Sequence, residues 1–338
     1  MASYAPTAPP APLPSLDGFV GTLRAVAEPT RLRLAILLSR AELTVTEISQ
    51  VVGQSQPRTS RHLRLLLDAD ILERSPEGAN VFYRVRDSGV GAELVRELAE
   101  RAPAEDPVVA ADAAALERVR QSRVAAAERC LRSHDDEVAT LRSLQVAEAD
   151  LERAMLELIG GSEPIERLLD IGTGTGRMLE LLAPVSERSV GLDVSRDMVA
   201  AARAKLGQAR LSRACVRQGD LHRPPLAAAS FDVAVMHHVL HLLDDPGEAL
   251  VDAARLLRAG GRLLVADYAP HTFEFLREQH GHRRLGIDER EMRAWAAQAG
   301  LEIESEQTLE GPGGERLTVR LWLLRTRPPE PSARSAVA

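Results

Sequence analysis

The segment Leu168–Arg177 constrains the fold most, because an apolar run breaks there into three alternating glycines. Such a run predicts a β-strand that enters a tight turn and is followed by a helix. The glycines, Gly172, Gly174 and Gly176, permit the turn and let the backbone approach a ligand closely. About twenty residues later, Asp193 ends a second apolar run, where a carboxylate is placed to bind ribose hydroxyls. The pattern predicts a nucleoside-cofactor site on a Rossmann-like sheet.

Two more acidic residues fit this kind of site. Asp170 precedes the first glycine, and Asp220 follows a third strand-like run, Ala214–Gln218. Together, the glycines and acids resemble the motifs of class I S-adenosylmethionine-dependent methyltransferases. The resemblance implies that the glycine loop wraps the methionine moiety, that Asp193 binds the ribose, and that Asp220 binds the adenine amino group. The alternative is a core βαβ turn with incidental carboxylates. The implied cofactor-binding residues are Asp170, Gly172, Gly174, Gly176, Asp193, Asp220, Leu221 and His237.

Four later segments match the remaining strands of a seven-stranded methyltransferase sheet. Residues 230–236 and 259–267 fit strands four and five, and residues 301–305 and 317–324 fit a terminal antiparallel pair. In open α/β sheets, ligands bind beyond the carboxyl ends of the strands. We therefore expect the transferring methyl group to face the residues that follow strands four and five, which are His237, His238, His241, Asp267, Tyr268 and His271.

Seven of the nine histidines lie between His222 and His282, which leaves three interpretations open. A neutral imidazole can act as a general base near pH 7, and His237 and His238 are the candidate catalytic residues. His237 and His241, four residues apart, could instead bind a metal ion. The third interpretation is that the rings line the pocket by stacking and hydrogen bonding, and no metal site is expected.

The end of strand four bears on the methyl acceptor. Residues Val235–Leu243 lack the Asp/Asn-Pro-Pro-Tyr element of nucleic-acid amino methyltransferases, which disfavours DNA methylation in cis. The segment instead resembles the small-molecule group that includes ubiquinone-pathway and arsenite methyltransferases. Arsenite enzymes hold arsenic with several cysteines, whereas this chain has only Cys130 and Cys215, far apart in sequence. Any acceptor is therefore expected to be a small molecule other than arsenite.

A second arrangement of motifs lies upstream. Thr44–Gly53, with a capping box, and Ser55–Leu67, with Ser55 as N-cap, predict two short helices. The runs 71–74 and 81–85, around a Pro-Glu-Gly-Ala-Asn turn, predict a β-hairpin. This order is typical of a winged helix-turn-helix, whose second helix enters the major groove of DNA. Polar and basic side chains crowd the start of that helix, which fits phosphate and base contacts. The candidate DNA-binding residues are Gln56, Arg58, Thr59, Ser60, Arg61, His62 and Arg64.

Residues 19–90 resemble ArsR/SmtB-type bacterial regulators, above all at Ser55–Leu63 and Glu28–Leu37. A helical protein-docking module is the alternative. Metal-sensing members carry cysteines in the helix before the recognition helix. Thr44–Val52 contains no Cys or His, which excludes thiolate sensing of arsenic or zinc there. The resemblance implies a homodimer on double-stranded operator DNA, and residues 92–130 could form its interface or only connect domains.

A chain of 338 residues is long enough for several domains. The proline-rich ends, 1–14 and 328–338, predict disordered termini. Between them we expect a DNA-binding domain at 15–90, a helical dimerisation or connector segment at 91–160, and a methyltransferase domain at 161–327. The predicted fold class is multidomain α/β, with an N-terminal winged helix-turn-helix and a C-terminal Rossmann-like seven-stranded sheet.

The net charge and the hydropathy of the chain limit which partners, nucleic acid or membrane, it is expected to bind. A net charge of −7 argues against a wholly basic nucleic-acid coat, although not against one basic patch. No apolar run reaches the roughly 18 residues that span a membrane, so we expect a cytoplasmic protein without a membrane partner. Two functions remain open. A regulator could couple binding of S-adenosylmethionine or S-adenosylhomocysteine to operator binding, or a small-molecule methyltransferase could carry an independent autoregulatory DNA-binding domain.

Overall fold

The computed structural model of the protein describes residues 15–131, 146–160, 164–310 and 317–327. The chain divides into two compact units, Met1–Ser122 and Arg123–Ala338, which we call the N-terminal and C-terminal units. Both predicted disordered termini, and residues 132–145 of the predicted connector, lie outside the described residues. Among the helices in the described ranges, none combines the length and apolar character needed to cross a membrane.

The N-terminal unit is mostly helical and has a small sheet of order β1-β3-β2. Helices α3 and α4 form the predicted helix-turn-helix, and β2 and β3 form the predicted hairpin. The elements, in chain order, are α1 (Leu16–Val26), α2 (Pro29–Arg40), β1 (Leu43–Thr44), α3 (Val45–Val52), α4 (Gln56–Asp68), β2 (Leu72–Glu77), β3 (Asn80–Val85), α5 (Val90–Glu100) and the first part of α6 (Pro107–Leu131). The remainder of α6, from Arg123, belongs to the C-terminal unit.

Local sequence signals explain the ends of α3. Thr44 and Glu47 form the predicted capping box: the Thr44 hydroxyl accepts from the Glu47 amide at 3.3 Å, and Glu47 Oε2 accepts from the Thr44 amide at 2.8 Å. Gly53 ends the helix with a φ of 68°, a left-handed conformation that favours glycine. The start of α4 differs from the prediction, because Ser55 occupies the N-cap position but its side chain makes no capping hydrogen bond.

The hairpin is longer than the sequence predicted. Pro76 and Glu77, expected in the turn, are the last residues of β2, and Pro76 pairs with Val81. Proline has no amide to donate, but β2 is an edge strand, where a missing donor is tolerated. The turn is therefore reduced to Gly78 and Ala79.

Apolar side chains from α2, α3, α4 and α5 form the core of the N-terminal unit. Leu34, Ile48 and Leu66 are completely buried in it. The first part of α6 joins the same core through Ala115 and Leu116, which are also buried. Part of the predicted connector is therefore built into this unit.

An ion pair fixes α6 to α2. Arg33 donates from Nε to Asp112 Oδ2 at 2.8 Å and from Nη2 to Asp112 Oδ1 at 2.7 Å. The same guanidinium donates to the Val52 carbonyl oxygen at 3.2 Å. Asp112 is only 8% exposed, so water does little to stabilise its negative charge. The bidentate contact with the Arg33 guanidinium stabilises that charge instead.

The C-terminal unit is an α/β domain around one large sheet. Its elements are α7 (Glu148–Ile159), β4 (Ile165–Ile171), α8 (Arg177–Leu182), β5 (Ser186–Asp193), α9 (Arg196–Gln208), β6 (Ala214–Gln218), β7 (Phe231–His237), α10 (Pro246–Leu256), β8 (Leu257–Tyr268), α11 (Phe275–His280), α12 (Glu289–Gln298), β9 (Leu301–Leu309) and β10 (Val319–Thr326).

The sheet has the order β6-β5-β4-β7-β8-β10-β9. Neighbouring strands from β6 to β8 pair in parallel, and β10 lies antiparallel between β8 and β9. This topology confirms the predicted Rossmann-like seven-stranded sheet. Side chains alternate between two core clusters, as Leu168 and Leu169 do, because successive residues of a strand point to opposite faces.

Helix α7 belongs to the core of the C-terminal unit. Leu151, Met155 and Ile159 are buried in one of the two clusters that cover the sheet. Arg177, the first residue of α8, donates to both carboxylate oxygens of Glu152 at 2.6 and 2.9 Å. The end of the predicted connector is therefore a structural part of the sheet domain, and a fragment starting at residue 161 would lack it.

Replacing Asp112 by asparagine should destabilise the N-terminal unit, because Arg33 loses its anionic partner. Breaking a buried pair costs about 3–5 kcal/mol, and since the Arg33 side chain is 24% exposed, we expect about 1–3 kcal/mol. Denaturant-dependent hydrogen exchange in α2 and α6 measures this free energy. The control is Glu97→Gln, whose exposed pair with Arg101 should contribute less than about 1 kcal/mol. Equal losses in the two variants would contradict the expectation.

Candidate functional site

The glycine loop after β4 adopts a backbone that requires glycine. Gly172, Gly174 and Gly176 have φ values of 68°, 51° and 80°, all in the left-handed region. A Cβ on Gly172 would lie 2.5 Å from a methyl carbon of Val239, and one on Gly176 would lie 3.1 Å from the Cβ of Ala202. A Cβ on Gly174 would meet no atom within 4 Å, so the middle of the loop faces open space.

Asp193, at the end of β5, holds this loop by hydrogen bonds. Its Oδ2 accepts from the Gly174 amide at 2.8 Å, and its Oδ1 accepts from the Ser195 amide at 2.8 Å. The Gly219 amide donates to the Asp193 carbonyl oxygen at 3.0 Å, which brings Asp220 beside the same strand end. The structure therefore brings the three sequence-predicted acidic and glycine motifs together at one edge of the sheet.

The next two predicted residues differ in exposure. Asp220 is exposed, and its Oδ1 accepts from the His222 amide at 3.0 Å, which fixes the turn after β6. Leu221 is half-buried and packs against the core cluster that contains Leu192. An exposed carboxylate next to an apolar side chain is suited to a ligand with both a polar edge and a flat apolar face.

Asp170 is almost completely buried at the end of β4. The Thr173 hydroxyl donates to its Oδ2 at 2.5 Å. Burial raises the pKa of Asp170 to about 7, the Thr173 hydrogen bond opposes this rise, and the nearby charge of Asp193 adds to it. A carboxyl group with a pKa near 7 is half-protonated under physiological conditions, so a cation bound beside it would ionise it.

Five histidines gather around one tyrosine beyond the ends of β7 and β8. The ring of His238 stacks on Tyr268 at 4.4 Å and lies 4.4 Å from the ring of His237. The ring of His282 lies 4.2 Å from that of His241, and both are buried. We call the following set the histidine cluster: His237, His238, His241, His271, His282 and Tyr268.

A buried carboxylate anchors this cluster. Asp267, which is 0% exposed, accepts a hydrogen bond at Oδ1 from the Tyr268 amide at 2.8 Å and lies 2.7 Å from His241 Nδ1. Its Oδ2 accepts from the amides of Leu240 and His241 at 2.8 and 3.3 Å. Burial alone would raise the pKa of Asp267, but the charge of His241 and the hydrogen bonds from the His241 ring and the Tyr268 amide lower it below the usual value. Asp267 is therefore a fixed negative charge.

The other rings of the cluster are held neutral. Burial lowers the pKa of His237 to about 4 and that of His238 well below its usual value. Burial, followed by the charges of His241 and His271, lowers the pKa of His282 to about 4. At pH 7 these imidazoles are neutral, and each has one nitrogen that can accept a proton or bind a metal ion.

Four nitrogen atoms of the cluster are buried without a hydrogen-bond partner among the residues that the structure describes. Leaving a buried polar atom unpaired costs about 1–3 kcal/mol, so buried nitrogens of this kind indicate a ligand site. They are His237 Nε2, His238 Nδ1, His271 Nε2 and His282 Nδ1.

The sequence predicted every member of this cluster except His282. The residues that follow strands four and five were expected to face the reacting group, and the structure places them together: His237, His238, His241, Tyr268 and His271. His282 was not expected there. It reaches the cluster because the segment after α11 returns to the loop after β7, where the Arg283 and Arg284 amides donate to the His241 carbonyl oxygen at 2.9 and 3.1 Å. No spacing in the sequence marks this return. The pairing of His241 with Asp267 was also missed, since 26 residues separate them.

In the N-terminal unit, the predicted DNA-binding residues of α4 fall into two groups. Gln56, Arg58, Arg61 and Arg64 are exposed, and Ser60 is half-buried. Two others face the protein, which differs from the prediction.

Thr59 is 1% exposed, and its hydroxyl bonds to the Ser49 hydroxyl at 3.0 Å and to the Ser55 carbonyl oxygen at 3.2 Å. His62 lies 3.6 Å from Glu28 Oε2. Thr59 joins α4 to α3 because it lies on the same side of the helix as the buried residue Leu63, four positions along. It is not available for contact with DNA in this structure.

Comparisons with known proteins identify two domain families in the chain. Residues 28–74 match the family described as bacterial regulatory protein, arsR family, and residues 169–265 match the family described as methyltransferase domain. A protein of Streptomyces fradiae, described as an uncharacterized 37.1 kDa protein in transposon TN4556, is 37% identical over 137 residues, or 39% of each chain. The 27-O-demethylrifamycin SV methyltransferase of Amycolatopsis mediterranei is 32% identical over 183 residues, or 51% of this chain and 66% of its own.

Among solved structures, the N-methyltransferase NodS from Bradyrhizobium japonicum, in complex with S-adenosyl-L-homocysteine, matches with a TM-score of 0.44 and 21% identity. The match covers 53% of this chain and 87% of that one. The chain spans between 39% and 66% of the lengths of the two curated relatives. The protein carries an arsR-family helix-turn-helix domain and a methyltransferase domain.

If Asp170 binds the cationic end of S-adenosylmethionine, as the sequence resemblance implies, the cation must displace the Asp170 proton at low pH. Binding should then weaken as the pH falls below 7. With a pKa of about 7 in the free protein, we expect up to about a tenfold rise in Kd per pH unit below 7 and a plateau above it. Calorimetric titrations from pH 5.5 to 8.5 measure this. Asp170→Asn, which can still accept from Thr173, should bind more weakly and with a flatter pH dependence. Parallel pH profiles for the parent and the variant would contradict the assignment.

Proposed function

We propose that this protein is a DNA-binding transcription regulator whose methyltransferase domain binds S-adenosylmethionine or S-adenosylhomocysteine and couples this binding to operator binding. The observation that supports the proposal is the presence of an arsR-family domain and a methyltransferase domain on one chain. The glycine loop, Asp193 and Asp220 form a cofactor cradle, and α4 presents exposed arginines. Helix α3 has no thiol or imidazole for a metal effector, which leaves the cofactor as the candidate effector.

The cradle fits the proposed cofactor. The open space at Gly174 leaves room for a ligand against the loop backbone. Each oxygen of Asp193 already accepts one amide and has a lone pair left for a ribose hydroxyl. Asp220 is exposed at the next strand end, where it can accept from the adenine amino group. Asp170 supplies a carboxylate for the cationic methionine end.

DNA binding rests on the exposed side of α4. Arg58, Arg61 and Arg64 are spaced three apart, so they lie on neighbouring positions of one helix surface. The recognition helix of a helix-turn-helix reads base edges with its N-terminal residues, and arginine is suited to phosphate and guanine contacts. We therefore propose operator DNA as the partner, with Gln56 and Ser60 as further contacts.

A homodimer is part of the proposal, because two half-sites one helical turn apart require two recognition helices. Helix α1 offers an apolar surface for it: Leu16, Phe19 and Leu23 are 79%, 39% and 40% exposed. Their spacing of three and four places them on one side of the helix. This surface adds to residues 92–130, of which Ala115 and Leu116 are already buried within the N-terminal unit.

Saturating S-adenosylhomocysteine or S-adenosylmethionine should change the affinity for DNA from upstream of the gene by about 5–150-fold, which corresponds to a coupling energy of about 1–3 kcal/mol. Fluorescence anisotropy with each ligand, at fixed salt because phosphate contacts are steeply salt-dependent, measures the change. We expect two chains per operator.

Two matched variants separate the parts of this test. Asp193→Asn should abolish the response to ligand and preserve basal DNA affinity. Arg61→Ala should weaken basal DNA affinity and preserve cofactor binding. Equal DNA affinity with and without a ligand that is shown to bind would refute coupling.

A second candidate function, methyl transfer to a small molecule, is favoured by the histidine cluster. His237 Nε2 and His238 Nδ1 are without partners among the described residues, and both rings are neutral at pH 7. A neutral imidazole at the ends of β7 and β8 can accept a proton from an attacking hydroxyl or amine. The match to 27-O-demethylrifamycin SV methyltransferase is consistent with such an acceptor.

If the chain is an enzyme, it should transfer a labelled methyl group from S-adenosylmethionine to a small molecule in cell extract. His237→Gln should lower the rate by about 10²–10⁴-fold, the usual contribution of a general base. Because His237 is neutral above pH of about 4, the rate should not fall between pH 8 and 6 as it would for an ordinary histidine.

The full chain, with α7, is needed for this assay. His280→Gln, in the same unit but outside the histidine cluster, is the control and should keep the parent rate. No labelled product from any extract, despite proven cofactor binding, would count against this function.

A further inference from the structure

The histidine cluster contains a set of groups suited to a metal ion. One ligand atom each from His238, His241 and Asp267 can be chosen such that all three lie within 4.8 Å of one another. Two of these residues, His241 and Asp267, are 3% and 0% exposed, so the set is enclosed by protein. His282 adds a third imidazole and a fourth possible ligand, with its ring 4.2 Å from that of His241.

The unpaired nitrogens point to the same conclusion independently. His282 is 5% exposed, and its Nδ1 has no hydrogen-bond partner in the described ranges. The same holds for Nδ1 of His238. Imidazole nitrogens without protein partners are uncommon in protein interiors, because each loses its contact with water. A bound metal ion would satisfy such atoms directly.

The backbone at His238 supports a functional role for its position. His238 has a φ of 56°, a left-handed conformation that is unfavourable for a residue with a side chain. Its amide donates to the Ala266 carbonyl oxygen at 2.8 Å, and its ring stacks on Tyr268. Such strain persists where the surrounding contacts require it, and it concentrates at ligand sites.

We propose that His238, His241 and Asp267 bind a divalent transition metal ion in the C-terminal unit. Two imidazoles and one carboxylate form a mixed nitrogen and oxygen ligand set that suits Zn²⁺, Co²⁺ or Ni²⁺ better than Mg²⁺ or Ca²⁺. Three protein ligands leave at least one coordination position open, as in catalytic rather than structural zinc sites. His282 can occupy that position or leave it to an oxygen or sulfur atom of a small molecule.

The pair of His241 and Asp267 needs only a small movement to share an ion. Its Nδ1 and Oδ1 atoms lie 2.7 Å apart. Metal bonds of about 2.0 Å at a tetrahedral angle separate two ligand atoms by about 3.3 Å. Opening the pair by about 0.6 Å therefore suffices, and the amide hydrogen bonds to Asp267 Oδ2 can hold the carboxylate in place meanwhile.

Metal binding at His241 Nδ1 would replace the hydrogen that lies between this atom and Asp267 Oδ1, because a ligand nitrogen must be deprotonated. Metal binding at His238 would leave His237 as the candidate general base for the methyl transfer described above. The metal site does not depend on that transfer or on DNA binding.

A second set of possible ligands, His222, Glu248 and Asp252, serves as the comparison site. His222 Nδ1 is paired with Asp252 Oδ2 at 2.6 Å, and Arg255 donates to Asp252 Oδ1 at 2.5 Å. A neighbouring guanidinium disfavours a cation, and His222 and Glu248 are exposed. The histidine cluster is therefore the preferred site.

The test is a titration of the full chain, free of any affinity tag and stripped with a chelator, with Co²⁺ and then with Zn²⁺. We expect one equivalent of Co²⁺ to give the visible absorption of four- or five-coordinate cobalt, and Zn²⁺ to displace it. His238→Asn should lower the Co²⁺ affinity at least tenfold, and asparagine tolerates the left-handed backbone at this position. His241→Gln removes a second ligand and should have the same effect.

The controls are His280→Asn, outside the cluster, and His222→Asn, in the comparison site, which should both keep the parent affinity. Thermal melting of each variant, with Trp295 and Trp322 as fluorescence probes, distinguishes a lost ligand from a lost fold. A parent chain without the cobalt spectrum would overturn the proposal, and so would parent-like affinity in a folded His238→Asn variant or loss of the site in His222→Asn. Titration with S-adenosylhomocysteine in the same samples reports on the cofactor cradle separately.

Discussion

The buried carboxylate of Asp267 is the contact on which the C-terminal site depends. Asp267 is the last residue but one of β8, and it accepts hydrogen bonds from the amides of Leu240, His241 and Tyr268. It also pairs with the His241 ring. These contacts fix the loop after β7 against the end of β8. Without them, the fully buried charge would be unpaired, which is among the costliest changes in a protein interior. The same contacts place the histidine rings around Tyr268.

The glycine loop is held by the same kind of contact at the end of β5, and β4 and β7 lie between β5 and β8 in the sheet. Asp193 uses each carboxylate oxygen to accept one loop amide, and this holds Gly174 in place. Three left-handed glycines let the loop turn above the ends of β4 and β5. Asp193 and Asp267 each hold a neighbouring loop by accepting hydrogen bonds from its backbone amides. One acid near this loop, Asp170, has a pKa raised to about 7 by burial.

Within one helix, buried residues fix the helix to the protein and exposed residues are left free for solvent. In α4, Thr59 fixes the helix to α3 through the Ser49 hydroxyl, and this leaves the exposed arginines on the solvent side. The predicted connector is divided in a similar way: Leu116 is buried in one core and Met155 in the other. Helical propensity alone does not reveal this division, because an amphipathic pattern shows that a helix packs without showing what it packs against.

The sequence by itself determined the two domain types and the glycine loop after β4, because glycine spacing, strand-end acids and caps such as Thr44 with Glu47 act over a few residues. Only the tertiary structure decided which histidines meet. His282 arrives through a return of the chain after α11, and His241 meets Asp267 because β7 and β8 are parallel neighbours. Contacts between residues distant in sequence depend on the order of the strands in the sheet and on where each loop runs. Local residue patterns do not predict either of these.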